Sequence, residues 1–279
     1  MTVTRFAPSP TGFLHLGHAH SALFAEQAAD GGTFLLRIED IDPTRCKPEF
    51  TKAIFEDLKW LGLTWPEPAR IQSQHMHQYA AALFKLRDHG VLYPCFCTRS
   101  EVLAEASAAG HAPHTGPDGV IYPGTCRHLS DKEAADKLAE YKVANWRLNV
   151  EKALALTGPL TWHDRAKGTI PANPQDFGDV VIARKDVPTS YHLSVTVDDH
   201  IQGVTLVTRG EDLFRSTDIH RLLQALLEYE TPDYHHHALL VDGEGKRFAK
   251  RDQSVTLRAL RESGKTPEDV RRMAFPEKP

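Results

Sequence analysis

The chain has 279 residues, of which 25% are charged and 41% hydrophobic, and its formal net charge is −4 with histidine counted as neutral. This composition is that of an ordinary globular protein, and the negative balance excludes a general polyanion binder, so any RNA contact must use a local basic patch. The sequence shows neither a signal peptide nor a long uncharged apolar run, which argues against secretion and membrane spanning and predicts a cytoplasmic protein, expected to be a monomer.

The amino-terminal residues predict a strand, a loop, a helix and a second strand. The first strand is the apolar run 3–6, and the helix begins near Gly17, with inward positions Ala19, Ala22, Leu23 and Phe24. Residues 33–38 predict the second strand, so this unit has the parallel crossover of a doubly wound, Rossmann-like α/β fold. Free N–H groups and the dipole at the start of the helix favour phosphate oxygens, as a nucleotide site requires.

The segment His15-Leu16-Gly17-His18 adds chemistry to this loop. The two imidazoles can donate to phosphate oxygens as charge builds up during attack at an α-phosphorus, and Gly17 lets a base or a phosphate approach the backbone. Arg5 and Glu39 fall at the carboxyl ends of the two predicted strands, where ligands bind in such sheets. Solvated salt bridges in the loops are the alternative interpretation of these two charges.

Two amphipathic helices are predicted next. The first covers residues 48–61, and its inward positions are Phe50, Ile54, Leu58 and Leu61. The second covers residues 73–89, and its inward positions are Met76, Ala80, Leu83 and Leu86.

Residues 93–147 have a different pattern, which we interpret as an insertion between the two halves of the nucleotide-binding fold, residues 1–92 and 148–241. Two capping boxes, Thr98 with Glu101 and Ser130 with Glu133, predict short helices on either side of a turn-rich segment.

Three of the four cysteines, Cys95, Cys97 and Cys126, lie in this insertion, whereas Cys46 stands apart as a plain thiol. So few cysteines indicate a reduced compartment without a disulfide framework. Three thiols and a fourth donor can surround Zn²⁺ tetrahedrally, and buried free thiols are the alternative. From the residues alone the fourth donor is open among Tyr122, His128, His114 and His111.

The second half of the fold is predicted to be rich in strands. The apolar runs that predict them are residues 145–150, 178–184, 191–197 and 204–208. Asp198-Asp199-His200 predicts a turn, and Arg209 follows the last of these runs.

A helix is predicted over residues 216–227, and its buried stripe is Ile219, Leu222, Leu223 and Leu226. The triple histidine 235–237 is interpreted as the start of a strand that continues through residues 238–241, not as a metal site. The final unit, residues 242–279, holds a basic loop and two short helical runs.

The basic loop contains the cations Lys246, Arg247, Lys250 and Arg251. A glycine-rich turn with this charge can close over a triphosphate and offset charge on a leaving pyrophosphate. A solvated basic loop is the alternative interpretation.

The loop Arg5-Phe6-Ala7-Pro8-Ser9-Pro10-Thr11-Gly12 with His15-Leu16-Gly17-His18 resembles the HIGH-type signature of the class I aminoacyl-tRNA synthetases, and specifically of their glutamyl branch. The resemblance implies that His15 and His18 are catalytic and bind ATP together with Gly17. The basic loop looks like the family's KMSKS-type loop, although only its second lysine, Lys250, is kept. The resemblance implies that Lys250 is catalytic and that Arg247 and Lys250 bind ATP, which enters with Mg²⁺.

The same resemblance implies a glutamate pocket, in which Arg5 and Arg209 pair with the two carboxylates, Glu39 holds the ammonium and Tyr191 closes the wall. A glutamine side chain would leave a buried guanidinium unpaired. The full implied set is Arg5, Phe6, Ala7, Pro8, Ser9, Glu39, Tyr191 and Arg209. For the zinc site, the resemblance selects Tyr122 as the ligand beside Cys95, Cys97 and Cys126.

Glutamyl-tRNA synthetases continue from such a core into anticodon-binding domains, which this sequence does not hold. The chain therefore resembles the shortened branch that joins glutamate to the queuosine base in the anticodon of tRNA(Asp), so its expected partners are ATP, L-glutamate and queuosine-containing tRNA(Asp). The alternatives are a compact glutamyl-tRNA synthetase charging a tRNA 3′ end, a zinc-stapled RNA-binding module without catalysis, and a small-molecule ligase.

Overall fold

A computed structural model describes the fold of residues 1–108, 115–141, 143–240 and 255–275, and these ranges are called the described residues. The strands of this part are β1 (Val3–Phe6), β2 (Thr33–Ile38), β3 (Arg70–Ile71), β4 (Leu92–Cys95), β5 (Thr115–Gly116), β6 (Gly119–Val120), β7 (Asn145–Leu148), β8 (Thr161–Asp164), β9 (Gly168–Pro171), β10 (Val181–Ala183), β11 (Leu206–Gly210) and β12 (Asp233–His237). Its α-helices are α1 (Leu16–Ala28), α2 (Pro48–Trp60), α3 (Met76–Asp88), α4 (Arg99–Ala108), α5 (Asp131–Tyr141), α6 (Val150–Thr157), α7 (Tyr191–Ile201), α8 (Ser216–Leu227), α9 (Leu257–Glu262) and α10 (Pro267–Ala274).

A parallel sheet in two halves forms the centre of the fold. One half has the strand order β1-β2-β3, and the other has the order β11-β12-β8-β9, in which only β9 is antiparallel. The backbone N–H of Thr205 donates to the carbonyl of Val3 at 3.0 Å, so β11 begins beside β1. The predicted α/β class with a parallel sheet is confirmed.

Two large apolar clusters form most of the core. The first packs α1 with β1, β2, α2 and the terminal helices α9 and α10, and the second packs α3, α6, α7 and α8. The strand predictions for β1 and β2 and the helix predictions for α2 and α8 are confirmed, because in each case the apolar period matches the buried face.

Strands β4, β7 and β10 form an antiparallel sheet, and β5 and β6 form a short hairpin that lies between β4 and β7 in the sequence. Both predicted capping boxes form. Thr98 N–H donates to Glu101 Oε2 at 2.6 Å, and Ser130 N–H donates to Glu133 Oε2 at 2.8 Å. Among the described residues, no helix combines the length and the apolar character needed to cross a bilayer.

The prediction of a strand over residues 191–197 with a turn at 198–200 is wrong, because these residues form α7. The helix begins at Ser190, whose hydroxyl accepts from Leu193 N–H at 3.4 Å. The buried polar residues Ser194 and Thr196 alternate with apolar residues in α7, so the sequence shows no apolar stripe at helical spacing. The β-branched run at Val195 then imitates a strand, and tertiary burial overrides that propensity.

The prediction of a strand over residues 238–241 is also wrong for residues 238–240, while Val241 lies outside the described residues. The triple histidine lies at the end of β12 and residues 238–240 are irregular, since the partner strand β11 ends where Gly210 pairs with His237. The hairpin of β8 and β9 and the helix α6 were not predicted. The helix α3 is present as predicted, but its buried positions are Tyr79, Ala82 and Leu86. Of the predicted inward positions, only Leu86 is among them.

Candidate active site

A cavity of about 620 Å³ opens at the carboxyl ends of β1, β2 and β11 and at the first turn of α1. It brings together every predicted ligand-pocket residue in the described part of the chain. These lining residues are Arg5, Phe6, Ala7, Pro8, Ser9, His15, Gly17, His18, Glu39, Tyr191 and Arg209. The predicted Arg247 and Lys250 lie outside the described residues.

The loop between β1 and α1 is held by the chain that follows β2. The N–H of Glu39 donates to the carbonyl of Pro8, and the N–H of Lys47 donates to the carbonyl of Pro10, both at 3.0 Å. These two bonds place the loop over the end of the sheet and bring Glu39 to the wall of the cavity.

His15 and His18 form a reciprocal cap at the start of α1. The ring Nδ1 of His15 accepts from Gly17 N–H, and the ring Nδ1 of His18 accepts from His15 N–H, both at 3.1 Å. Because Nδ1 is an acceptor in both neutral rings, each carries its proton on Nε2 and acts there as a donor. The ring centroids lie 3.8 Å apart, so two donors stand side by side at the cavity wall.

This cap changes the expectation that free backbone N–H groups at the start of α1 bind phosphate oxygens. The N–H of Gly17 is engaged by the His15 ring and the N–H of His18 by the His15 carbonyl at 2.9 Å. The first turn therefore presents histidine side chains to the cavity in place of these two backbone donors.

Arg5 belongs to a buried network of alternating charges. Its Nε donates to Asp199 at 2.9 Å and its Nη1 donates to the carbonyl of Thr208 at 3.0 Å. Asp199 also accepts from Arg37 at 2.8 Å, and Arg37 lies 3.3 Å from Glu39. Burial alone would raise the pKa of Asp199, but the guanidinium groups of Arg5 and Arg37 lower it. Arg5 therefore faces the cavity with its charge already balanced.

Glu39 is the carboxylate of this network that lines the cavity. Burial raises its pKa to about 6, although Arg37 and Arg5 oppose the shift. The carboxylate is consequently ionised at neutral pH and becomes protonated in mildly acidic solution.

Arg209 has a different environment from Arg5. Its Nε donates to His236 Nε2 at 3.1 Å, its Nη1 lies 3.1 Å from His220 Nδ1, and its Nη2 contacts the hydroxyl of Thr217. Among the described residues, no hydrogen bond or ion pair joins this buried guanidinium to a carboxylate. Since a buried charge without a counter-charge is costly, the cavity is suited to a ligand that brings a carboxylate to Arg209.

Sequence reasoning missed the residues that hold Arg209. His236 Nδ1 lies 2.7 Å from Asp164, which leaves Nε2 as the acceptor for Arg209. Burial and the Arg209 charge lower the pKa of His236 to about 4, and the same causes lower that of His220 well below its usual value. Both rings are therefore neutral. The sequence signal for His236 and His220 is a polar residue inside an otherwise apolar segment.

Cys95, Cys97 and Cys126 lie together, as predicted. The sulfur atoms of Cys95, Cys97 and Cys126 all lie within 4.8 Å of one another. The hydroxyl of Tyr122 lies 3.5 Å from the sulfurs of Cys95 and Cys97, and Cys97 and Cys126 are also 3.5 Å apart. The four donors thus form one compact group at the end of β4.

These distances fit a tetrahedral zinc ion. Bonds of about 2.3 Å to sulfur and about 2.0 Å to oxygen would separate the ligand atoms by about 3.5 to 3.8 Å. His128 is exposed and does not belong to the group, while His111 and His114 lie outside the described residues. Of the two described candidates for the fourth donor, Tyr122 lies at the group and His128 does not. Cys46 is half-buried and apart from the group.

The described residues on either side of the basic loop both reach the site. Leu240 lines the cavity, and Leu257 N–H donates to the carbonyl of Leu14 at 2.8 Å, next to His15. His15 itself makes an isolated bridge with Thr256. Leu240 thus lies at the cavity, and Thr256 lies beside His15.

Known proteins resemble this chain over nearly its whole length. The family model described as tRNA synthetases class I (E and Q), catalytic domain, matches residues 1–275. A glutamyl-Q tRNA(Asp) synthetase of Rhodobacter capsulatus is 46% identical over 277 residues, which is 97% of this chain and 99% of that protein. A glutamate–tRNA ligase of Coprothermobacter proteolyticus is 39% identical over 95% of this chain, which spans 56% of that relative.

A solved structure shows that the fold of this chain is also similar to that of a known protein. The glutamate tRNA ligase of Elizabethkingia meningosepticum, determined in complex with its amino acid, superimposes with a TM-score of 0.81 at 28% identity. The match covers 98% of this chain and 60% of that one.

Proposed function

Since the chain belongs to the class I aminoacyl-tRNA synthetases of the E and Q group, we propose that it activates L-glutamate with ATP and transfers it to the queuosine base in the anticodon of tRNA(Asp). The observation that carries the glutamate step is the buried Arg209, whose hydrogen bonds in the described part all go to neutral groups. The acceptor rests on the similarity to glutamyl-Q tRNA(Asp) synthetases over nearly the whole of both chains.

The pocket has a donor or a counter-charge for each charged group of glutamate. Arg209 pairs with the side-chain carboxylate, Glu39 holds the ammonium, and Tyr191, whose hydroxyl lies 3.5 Å from Arg209, closes the wall. Arg5 presents a pre-positioned donor at the opposite wall. A neutral glutamine amide would leave Arg209 without a counter-charge, which is the basis of the expected selectivity.

Activation needs no general base in this arrangement. A carboxylate oxygen of glutamate attacks the α-phosphorus of ATP, and the bond to the bridging oxygen of pyrophosphate breaks. His15 and His18 donate from Nε2 to the phosphate oxygens as charge develops, so the protein contributes positioning and charge stabilisation. ATP enters as its Mg²⁺ complex.

We extend this proposal to Arg247 and Lys250, which would stabilise the departing pyrophosphate. Support comes from the described neighbours of the basic loop, because Leu240 lines the cavity and Leu257 is bonded beside His15. A loop joining these two points begins and ends at the site that would hold the triphosphate.

Glutamate-dependent exchange between ATP and labelled pyrophosphate tests the activation step. We expect exchange with glutamate and little with glutamine or aspartate. Absence of exchange in zinc-replete protein would refute the proposed activity and favour the non-catalytic RNA-binding module.

A second assay separates the two possible acceptors. The 39% identical glutamate–tRNA ligase favours a tRNA 3′ end as the alternative site. We expect labelled glutamate to be transferred to queuosine-containing tRNA(Asp) and not to the same tRNA lacking queuosine. Charging of unmodified tRNA(Glu) would instead identify a compact glutamyl-tRNA synthetase.

Glutamate use should depend on pH through Glu39. Because burial raises the pKa of this carboxyl to about 6, protonation below that pH removes the charge that holds the ammonium. We expect kcat/KM for glutamate to fall about tenfold per pH unit below this pKa and to be level above it. The measurement is pyrophosphate exchange from about pH 5 to about pH 8.

The matched variant for this prediction is Glu39→Gln, which cannot ionise. It should lower kcat/KM at neutral pH and remove the acidic limb of the profile. An unchanged acidic limb in the variant would assign the titration to another group.

We further propose that Cys95, Cys97, Tyr122 and Cys126 bind one structural zinc ion. The supporting observation is the spacing of the four donors, which matches a tetrahedral ligand set. When bound, the ion would join β4 to the turn before α5, in a segment with little apolar core of its own.

Cys126→Ser is expected to lose most of the zinc and to lower the melting temperature of the protein, because one of three thiolate ligands is removed. Metal analysis of the purified protein and a melting curve provide the measurement. Cys46→Ser is the control and should retain one zinc per chain. Tyr122→Phe keeps the ring that stacks on Arg147 and tests the oxygen ligand alone. Full zinc content in Cys126→Ser would refute the site.

A further inference from the structure

A row of hydrogen-bonding side chains runs from Arg209 to the surface of the insertion. Arg209 Nη1 lies 3.1 Å from His220 Nδ1, and His220 Nε2 lies 3.1 Å from His192 Nδ1. His192 Nε2 lies 3.0 Å from Oδ2 of Asp118, which occupies the turn of the hairpin between β5 and β6. The histidines are buried, whereas half of the Asp118 side chain is exposed.

The two ends of this row determine the direction of every bond. Arginine has only donors and an ionised carboxylate has only acceptors. Arg209 therefore donates to His220 Nδ1, His220 donates from Nε2 to His192 Nδ1, and His192 donates from Nε2 to Asp118. Each imidazole is neutral and held in one tautomer, so the row has a single consistent arrangement.

The hairpin that carries Asp118 is closely seated on the catalytic core. A Cβ on Gly116 would lie 2.5 Å from the carbonyl of Asp176, in the short helix Pro174–Phe177, so only glycine permits this approach. The ring of Phe177 from the same short helix packs edge-on against His192 at 6.4 Å. The position of the hairpin on the short helix is thus coupled to the position of His192.

We propose that Asp118 is a positioning residue for Arg209, and that the row Asp118–His192–His220 links the insertion to the amino-acid pocket. Without Asp118, His192 loses the acceptor of its Nε2–H, so the His192 ring, and through it His220, is held less firmly beside Arg209. The guanidinium then has an added freedom to turn away from the substrate carboxylate. The inference rests on the proposed glutamate pocket, and it adds a specificity determinant that lies outside the cavity.

The kinetic test compares three variants in glutamate-dependent pyrophosphate exchange. Asp118→Ala should raise KM for glutamate about tenfold and leave KM for ATP unchanged, because the row that starts at Asp118 ends at Arg209 in the glutamate pocket. Asp118→Asn should stay within about twofold of the parent, since its amide oxygen can accept from His192. Asp136→Ala, an exposed position on α5, is the matched control and should have no effect.

Two further measurements separate positioning from general damage. Gly116→Ala keeps the carboxylate but displaces the hairpin, and should reproduce the glutamate-specific rise in KM. Long-range ¹H–¹⁵N spectra of the whole protein should show His192 and His220 protonated on Nε2 and His236 on Nδ1. In Asp118→Ala the Nε2 proton of His192 should exchange faster with solvent, because its acceptor is removed.

The outcomes are distinguishable from failure of the proposed function. If the parent protein shows no exchange with glutamate, the glutamate pocket is refuted, and the tautomers still decide whether the row exists. If the parent is active and Asp118→Ala matches Asp136→Ala, the inference is overturned. A parallel rise in KM for ATP and glutamate would overturn it as well, since that would indicate a general structural effect.

Discussion

Arg209→Ala is expected to lower kcat/KM for glutamate by about 10²- to 10³-fold, equivalent to about 3 to 4 kcal/mol of transition-state stabilisation. Removing the guanidinium leaves the substrate carboxylate in a buried pocket without its counter-charge. The preference for glutamate over glutamine should disappear at the same time, because the neutral amide no longer leaves a buried charge unpaired. Exchange kinetics with each amino acid, and competition between the two, provide the measurement.

The control for this experiment is Arg272→Ala, which removes an exposed arginine of α10 and should leave both kinetic constants unchanged. Arg209→Lys is informative because it keeps the charge and loses the planar fork that bonds His236 and His220. It should recover only part of the activity. Retained selectivity in Arg209→Ala would show that another group, such as Arg5, reads the side chain of the substrate.

Loss of the His18 donor is expected to have an effect of similar size on the rate. His18→Asn should lower kcat of exchange by about 10²- to 10³-fold, because the Nε2 donor to the phosphate is removed. The asparagine oxygen stands near the position of Nδ1 and can still accept from His15 N–H, so the cap of α1 is kept. KM for glutamate should change little.

Comparison with His18→Ala separates catalysis from capping. The alanine variant loses both the donor and the cap, so it should show the same loss in kcat and, in addition, a melting temperature lower by roughly 2 to 4 °C. A normal rate in His18→Asn with a low rate in His18→Ala would assign His18 a structural role only.

Local interactions explain why much of the fold could be predicted. The helix α8 has a one-sided apolar stripe that ends at Leu227, and the capping boxes at Thr98 and Ser130 involve residues three positions apart. In such cases the neighbouring residues contain the whole signal. On α7, buried polar side chains alternate with Leu193, Val195 and Val197, so the sequence has the period of a strand and the prediction failed there.

The candidate site also has features that could be predicted from the sequence and features that could not. Arg5, Glu39 and Arg209 were placed at strand ends by apolar runs that precede them, and parallel strands bring such ends to one edge. Which side chains balance the charges of these three residues could not be predicted. Asp199 balances Arg5 across 194 positions of the chain, whereas no carboxylate of the described residues balances Arg209.

The sequence by itself determined the α/β class, the strand–loop–helix unit around His15 and His18, and the group of three cysteines Cys95, Cys97 and Cys126. Only the tertiary structure decided that the two histidines cap α1 with Nδ1, that His236 and His220 hold Arg209, and that Asp118 reaches this group from the insertion. The physical reason is the separation along the chain over which each interaction acts. Periodicity and capping act over a few residues, but the balance of a buried charge depends on which distant side chains the fold brings within hydrogen-bonding distance.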